Sequence, residues 1–455
     1  MLEARGRLGG RASAFDDPVT GEAVDNGQHI ILGCYRETFT YLREIGAVTN
    51  VRLQPALAVP IVDRNGRHSV LRCPQFPPPL HLLAGVLGWE ALTWRDRLGV
   101  LRLAPAIVRA RRAARGAVAG SGGAGPGSGG AGPGSGGGGP GSGGAGPGSG
   151  GAGLQPCGLV RSGETVSEWI ERHGQGPALR ELLWDPLAVA ALNQPAELAA
   201  AEPFVTVLGL MFGSGARDAA IGFPTRPLDE AFAEPARRYL EARGGEVRLN
   251  ALSRIRIDRD RATVVDVRGD AVETSSVVSA VPWFGLPRVL VGDVGPLAEV
   301  VGLARHTASS PIVTVNLWFD RPVLDTAFVG LPGRTLQWVF DRRQIVGGAT
   351  SHLSLVSSGA ADSLKKTSDA LVALALDEVR AALPRISGAR LVRSLVVREP
   401  HATFSLAPGQ PPRPGCRTAV PRLVLAGDWI DTGLPATIEG AITSGRMAAD
   451  ALGAG

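Results

Sequence analysis

Leu423-Val424-Leu425-Ala426-Gly427-Asp428-Trp429, followed after a short loop by Ala436-Thr437-Ile438-Glu439-Gly440-Ala441, is the stretch that decides the fold. An apolar run ending at a glycine predicts a short buried strand over Leu423 to Leu425. The apolar periodicity from Ala436 to Leu452 predicts a helix. Strand, turn and helix in this order present free N–H groups and the positive end of a helix dipole beyond the carboxyl end of a strand. Open α/β sheets hold anionic ligands there. An ordinary strand-loop-helix packing unit has the same pattern, so other parts of the chain must decide between the two.

The start of the chain supplies a partner. Leu2-Glu3-Ala4-Arg5 reads as the last residues of a strand. A carboxylate at that point of a nucleotide-binding fold can bond a ribose hydroxyl. Arg7-Leu8-Gly9-Gly10-Arg11 follows, in which two glycines allow close approach of backbone to phosphate and the arginines bring charge. A glycine turn on a wet surface looks much the same.

Bulk composition excludes several classes. The chain has 455 residues, enough for two or three domains, and 44% hydrophobic content, enough for a core. The net charge of +5 rests almost entirely on arginine; Lys365 and Lys366 are the only lysines. Aromatics at 5% argue against a basic, aromatic-interleaved nucleic-acid face. Cys34, Cys73, Cys157 and Cys416 form no Cys-x-x-Cys pair and no zinc spacing, so no metal is expected and a reducing cytoplasm suits them. No apolar run reaches 18 residues and no signal peptide is visible.

From Gly120 to Gly153 a Gly-Ser-Gly-Gly-Ala-Gly-Pro heptapeptide repeats, with nothing apolar to bury. Residues 116–153 are therefore read as a low-complexity surface loop. The match Gly125-Pro126-Gly127-Ser128-Gly129-Gly130 to a dinucleotide fingerprint lacks a strand before it and a helix after it. Elsewhere strands are predicted over 51–62, 246–249, 255–257, 263–267, 277–281, 312–319, 353–356, 391–398 and 423–425. Helices are predicted over 37–45, 94–114, 166–172, 179–187, 204–210, 228–242, 363–383 and 436–452. The class is α/β with an inserted α+β region.

Leu2 to Arg11, Asp25-Asn26-Gly27-Gln28-His29, and Ala426-Gly427-Asp428-Trp429 through Ala441 together resemble the amine oxidase and phytoene desaturase superfamily of FAD enzymes. Trp184-Asp185-Pro186-Leu187 with Leu192-Asn193, and Ile430-Asp431-Thr432-Gly433-Leu434-Pro435 after Trp429, resemble its squalene-associated branch, the hydroxysqualene dehydroxylases. The likeness covers nearly the whole chain outside the glycine-rich insert. It implies FAD, with Glu3 at the ribose, Leu252 at the adenine, and Arg5, Gly9, Gly10 and Arg11 along the pyrophosphate and flavin edge. Gly27, Gln28 and His29 would pass the isoalloxazine. Gly427 and Asp428 would serve the pyrophosphate and ribityl chain, and Ile438, Glu439 and Ala441 the pyrimidine side. It also implies a discontinuous FAD-binding Rossmann-like domain from 1–60, 225–285 and 395–455, and a substrate domain from 61–115, 154–224 and 286–394.

One departure stands out. The family places a strand and a Gly-x-Gly-x-x-Gly turn about 20 residues before the ribose carboxylate. With that carboxylate at Glu3, the unit lies ahead of Met1, and the Rossmann-like domain is read as N-terminally truncated. The expectation is a gene start assigned too late, a central strand slot left unfilled and weak FAD binding by the chain as written.

The branch implies reductive loss of an allylic hydroxyl from a long isoprenoid, with an external reductant. The departing hydroxyl needs a general acid, for which His29, His401 and Asp25 are candidates because they fall beside the flavin-facing motifs. Each also fits a structural role, Asp25 as a turn cap. A carotenoid-type desaturase, running hydride the other way, an amine oxidase and a non-catalytic lipid-binding remnant are alternatives. Finally, apolar Leu80 to Trp89 lies beside an arginine-rich run from Arg95 to Arg115. The pairing suits a core helix with a solvated arginine face, the commoner arrangement, or peripheral contact with an anionic membrane.

Overall fold

The computed structural model describes residues 1–120 and 159–453, apart from positions 214, 260, 267, 268 and 349. The predicted loop lies outside these residues from position 121 onward, as does Cys157. Its start is corrected: the helix Ala104–Gly120 runs past position 116. The Ala- and Arg-rich sequence favours helix strongly enough that one Gly116 does not end it.

The predicted strand and helix of the opening motif form as Leu423–Leu425 and Ile438–Gly453. Leu423–Leu425 pairs in parallel with Val277–Ser279. Leu2 makes a single parallel bridge to Arg248, so the strand predicted over 246–249 is reduced to that bridge. Around these packs a core of Ile255, Ile257, Val277, Trp283, Leu423, Leu425 and Trp429.

A seven-stranded sheet forms the second half. Its order is Leu391–Phe404, Ser309–Phe319, Ser351–Ser358, Trp338–Asp341, Phe328–Gly330, Ala58–Val62 and His68–Arg72. All neighbours are antiparallel except Phe328–Gly330 beside Ala58–Val62. Alternation along Ser309–Phe319 separates two faces. Val313, Val315 and Leu317 pack with Leu371, Ala375 and Val379 of the helix Ser368–Ala382. Thr314 and Trp318 face the other half, where Thr314 adjoins Gly27 and Trp318 Nε1 donates to Glu22 Oε2 at 2.8 Å.

Several predicted elements are split. The run 51–62 becomes Val51–Leu53 and Ala58–Val62 in different sheets, because Pro55 has no N–H to extend the ladder. The helix over 363–383 becomes Ala361–Leu364 and Ser368–Ala382, restarting where Thr367 caps Ala370 N. The helix over 94–114 is Trp94–Gly99, a 3-10 turn Val100–Leu103, and Ala104–Gly120.

The remaining helices, chiefly Leu80–Leu87, Val166–Arg172, Asp185–Leu192 and Ala201–Met211, build a lobe around Trp89, Trp169, Trp184, Phe204 and Phe212. Among the described residues no helix is long and apolar enough to cross a membrane.

Candidate active site

One cavity of about 1960 Å³ runs between the two halves. Typical small-molecule sites are roughly 300–1,000 Å³, so this one has room for a large cofactor and a second molecule. All fourteen residues predicted to bind the cofactor line it.

At one end, Glu3 N donates to Arg248 O and Ala251 N to Glu3 O, which sets Leu252 beside Glu3. Glu3 Oε1 accepts from Arg5 N at 2.8 Å. The Leu2 backbone on this wall and Val277–Ser279 both line the cavity, and neither has a strand partner beyond Arg248 and Leu423–Leu425 respectively among the described residues.

Further along, Gly9 and Gly10 turn with φ of +93° and +59°. A Cβ on Gly9 would stand 2.3 Å from Ala12 O, so the turn admits glycine alone there. The turn aims Arg11 across the cavity. Its guanidinium pairs with Asp428, donates to Ala402 O at 2.8 Å and lies over the Trp283 ring at 5.0 Å. Gly427, with φ +115°, donates its N–H to Ser444 Oγ at 2.8 Å, which ties the end of the strand to the last helix. That helix opens with Gly440 N donating to Thr437 Oγ1 at 3.0 Å, leaving Ile438, Glu439 and Ala441 on the wall.

Glu439 does more than line the cavity. Its carboxylate accepts from Glu37 N, Thr38 N and Thr38 Oγ1 at 3.0, 2.8 and 2.7 Å, capping the helix Arg36–Glu44. Burial pushes its pKa upward while the Thr38 hydrogen bonds oppose the shift.

The segment Asp25 to His29 divides. Gly27, Gln28 and His29 reach the cavity; Asp25 does not. Asp25 is buried, accepts from Leu228 N at 3.0 Å and pairs with Arg342. Arg342, itself buried, also donates to Gln28 Oε1 at 3.0 Å. Sequence reading passed over Arg342. It sits just past the strand Trp338–Asp341, 317 residues from Asp25, with no local signal. His29 Nδ1–H donates to Gly27 O at 2.9 Å, and burial pushes its imidazole below the usual value, so it is held neutral. His401 is exposed on the strand Leu391–Phe404. It stacks on Phe284 at 4.5 Å and shares a hydrogen bond with Ser309 Oγ at 2.8 Å, outside the cavity lining.

Much of the remaining lining is apolar, with Asn193, Asp218, Ser358 and Thr403 as polar members. Leu187 and Ala191, Val207, Leu210 and Met211, and Ile312 and Val356 are among its apolar members. They come from the helical lobe and the seven-stranded sheet.

Beneath the site, His352 stacks on Trp318 at 4.0 Å, and its Nε2–H donates to Asn316 Oδ1 at 2.9 Å. Glu22 Oε2, 3.7 Å from His352 Nδ1, is too far to hydrogen-bond it. Burial lowers the His352 pKa to about 3. The unfolded chain takes up this proton first, near its usual pKa of about 6.5, so stability is full above that pH and falls as pH drops towards 3. The loss should approach ~4 kcal/mol by the lower limit. Urea melts of wild type and His352→Gln across this window check it; parallel pH profiles would refute the assignment.

The model of the family "Flavin containing amine oxidoreductase" matches residues 1–132 and 150–453. The chain belongs to that family. It is an FAD-dependent oxidoreductase. A hydroxysqualene dehydroxylase of Sinorhizobium fredii is 28% identical over 99% of this chain and 91% of its own length. A 15-cis-phytoene desaturase of Synechococcus elongatus is 22% identical over 99% and 90%. An oxidoreductase from Methanosarcina mazei superposes with a TM-score of 0.69 at 14% identity, covering 99% of this chain and 93% of that one. A putrescine oxidase variant superposes at 0.66 with 16% identity, covering 100% and 93%. These structures share the fold.

The cavity's donors fit the family's flavin nucleotide. A carboxylate stands at one end, a glycine turn whose Gly9 admits no Cβ lines the wall, and an arginine–aspartate pair and a helix N-terminus follow. Among the described residues no group of three or more His, Cys, Asp or Glu could hold a metal ion.

Proposed function

We propose that this enzyme removes an allylic hydroxyl reductively from a long isoprenoid, converting hydroxysqualene to squalene. The observation that carries this reading is the group of apolar side chains, Leu187, Ala191, Val207, Leu210, Met211, Ile312 and Val356, that line the same cavity as Gly27 to His29. The hydroxysqualene dehydroxylase relatives that span almost the whole chain support it.

In the reaction a C–O bond breaks and a C–H bond forms; the hydroxyl takes one proton and leaves as water. Fully reduced FAD, when bound, would supply the hydride and, on returning to the oxidised form, the proton that balances the departing water, and a soluble or membrane-borne two-electron reductant must renew it. The protein contributes the rest. Glu3 and Leu252 hold the adenosine, Gly9, Gly10, Arg5 and Arg11 the pyrophosphate, and Gly427, Asp428, Ile438, Glu439 and Ala441 the remainder of the cofactor. Leu187, Val207, Leu210 and Met211 bind the hydrocarbon and exclude water. Of the three acid candidates His29 alone is on the cavity wall. With Nδ1–H given to Gly27 O, its Nε2 is free to accept from the substrate hydroxyl and orient it. A neutral imidazole of this kind positions the leaving group rather than protonating it. We assign residues 1–60, 225–285 and 395–455 chiefly to the cofactor half and 61–115, 154–224 and 286–394 chiefly to the substrate half, with the strands Ala58–Val62 and Leu391–Phe404 of the seven-stranded sheet crossing two of these boundaries.

Phytoene desaturation is the second reading, favoured by the desaturase relatives that span the chain equally fully. Purified chain, loaded with FAD, is to be given hydroxysqualene under a reductant and phytoene under a quinone. Squalene from the first is the expected result. Desaturated phytoene with no squalene would replace dehydroxylation by the second reading, and no flavin spectrum at all would remove both.

A further inference from the structure

Five of the thirteen large apolar side chains left exposed among the described residues fall within 76–101: Phe76, Leu80, Trp94, Leu98 and Leu101. Trp94, Leu98 and Leu101 are spaced i, i+4, i+7 and share one helical face. The helix Leu80–Leu87 packs against this segment. Its buried side uses Leu82 and Val86, with Leu83 packing beside them, while Ala84 and Leu87 are also apolar and only half-buried.

The patch is rigid. Arg97 donates to Leu92 O and Leu87 O at 3.0 and 3.1 Å and lies over the Trp94 ring at 4.7 Å. Arg111 donates to Pro78 O at 2.6 Å, so two arginines fasten the loop and helices together from behind.

Its charge is one-sided. Residues 74–114 hold six arginines against the two acids Glu90 and Asp96. Asp96 accepts from Thr93 in a helix cap. Arg95, Arg102, Arg109 and Arg112 are exposed and continue the outward face of Leu98 and Leu101. An apolar face bordered by unbalanced arginine matches an anionic lipid surface: hydrocarbon takes the side chains and headgroup phosphates take the guanidinium groups.

The patch also backs onto the active site. The helix Ala104–Gly120 meets Ala201–Met211 so closely that a Cβ on Gly209 would stand 2.7 Å from Ala110 O. Ala114, Gly209, Leu210 and Met211 line the cavity. The helix that follows the patch in the chain thus contributes directly to the cavity wall.

We infer that Phe76, Leu80, Trp94, Leu98 and Leu101, with Arg95 and Arg102, form a docking face for an anionic membrane surface. The enzyme rests there and draws its apolar substrate from the lipid. The last clause depends on the isoprenoid reading above; the docking face does not.

The test is co-sedimentation of the full chain with phosphatidylcholine vesicles, with and without phosphatidylglycerol, at low and high salt. Wild type is expected to sediment with anionic vesicles at low salt. Trp94→Ser/Leu98→Ser should bind at least roughly tenfold more weakly to either lipid. Arg95→Gln/Arg102→Gln should lose the preference for phosphatidylglycerol and most of the salt dependence. All the altered side chains are exposed, so thermal midpoints should hold; Phe76→Ser, on a separate loop, repeats the apolar test if they do not. Absence of wild-type sedimentation overturns the proposal, as does wild-type-like binding by the apolar variants. A concentration-dependent mass in lipid-free solution, abolished by the same variants, would reassign the face to a second copy of the chain. Turnover of hydroxysqualene in detergent micelles separates the two readings. Activity there without vesicle binding rejects the docking face alone, and vesicle binding without activity rejects the reaction alone.

Discussion

Arg342→Leu is expected to be among the most damaging single substitutions outside the cavity wall, costing ~3–5 kcal/mol, the usual penalty for orphaning one partner of a buried ion pair. Asp25 would remain inside the protein with only Leu228 N as a donor. Burial already raises its pKa and Arg342 opposes that rise. Without the arginine the folded-state value climbs further above the unfolded one, so the folded state binds the extra proton. The variant should therefore lose stability as pH rises above the usual carboxylate range, in the opposite sense to His352. Gln28 also loses its partner, so the Gly27 to His29 segment should hold FAD less tightly. Urea midpoints measured from acid to neutral pH, with flavin titrations, check both effects. The double variant Asp25→Asn/Arg342→Leu should recover a large part of the loss. A double variant no more stable than Arg342→Leu would rule out an uncompensated Asp25 as the cause.

Gly9→Ala should have the largest effect on cofactor affinity. The residue combines φ of +93° with a carbonyl 2.3 Å from any Cβ. The Ala12 backbone is the obstacle, so no side-chain rotation relieves it, and the turn must open. Opening swings Arg11 away from Asp428 and Ala402 O, both on the far wall. A loss of ~2–4 kcal/mol, or roughly 30- to 1,000-fold in Kd, is expected from backbone strain plus one misdirected charged contact. Gly10→Ala is the matched control, since its Cβ meets nothing within 4 Å. It carries only left-handed backbone strain, about 1–2 kcal/mol. Fluorescence titration of the flavin-free protein with FAD distinguishes them. Equal affinities for the two variants would show that the Ala12 contact does not shape the site.

The fourteen residues assigned to the cofactor came from the family resemblance, and all of them line the cavity; within that set the glycines and the helix start also answer local demands. Glycine is needed where φ is positive or backbone approaches, and a helix must begin where a strand ends. The acid candidates were less legible. Asp25, His29 and His401 looked equivalent as titratable groups near motifs. Their separation depends on direction: one toward Arg342, one onto the cavity wall, one out to the rim. A partner 317 residues away has no trace in the local pattern.

Composition, periodicity and turn chemistry alone determined the strand-turn-helix at Leu423 to Leu452, the glycine turn at Gly9 and Gly10, and the α/β class. These rest on contacts among near neighbours in the chain. Tertiary structure alone decided that Val51 to Val62 splits between two sheets and that the carboxylate of Glu439 caps the helix Arg36–Glu44. It also decided that Arg342 holds Asp25 and Gln28, and that the apolar residues at 76–101 stay outside. Burial and ion pairing depend on which distant segments meet. That meeting is set by the packing of whole sheets and helices, which no short window of sequence contains.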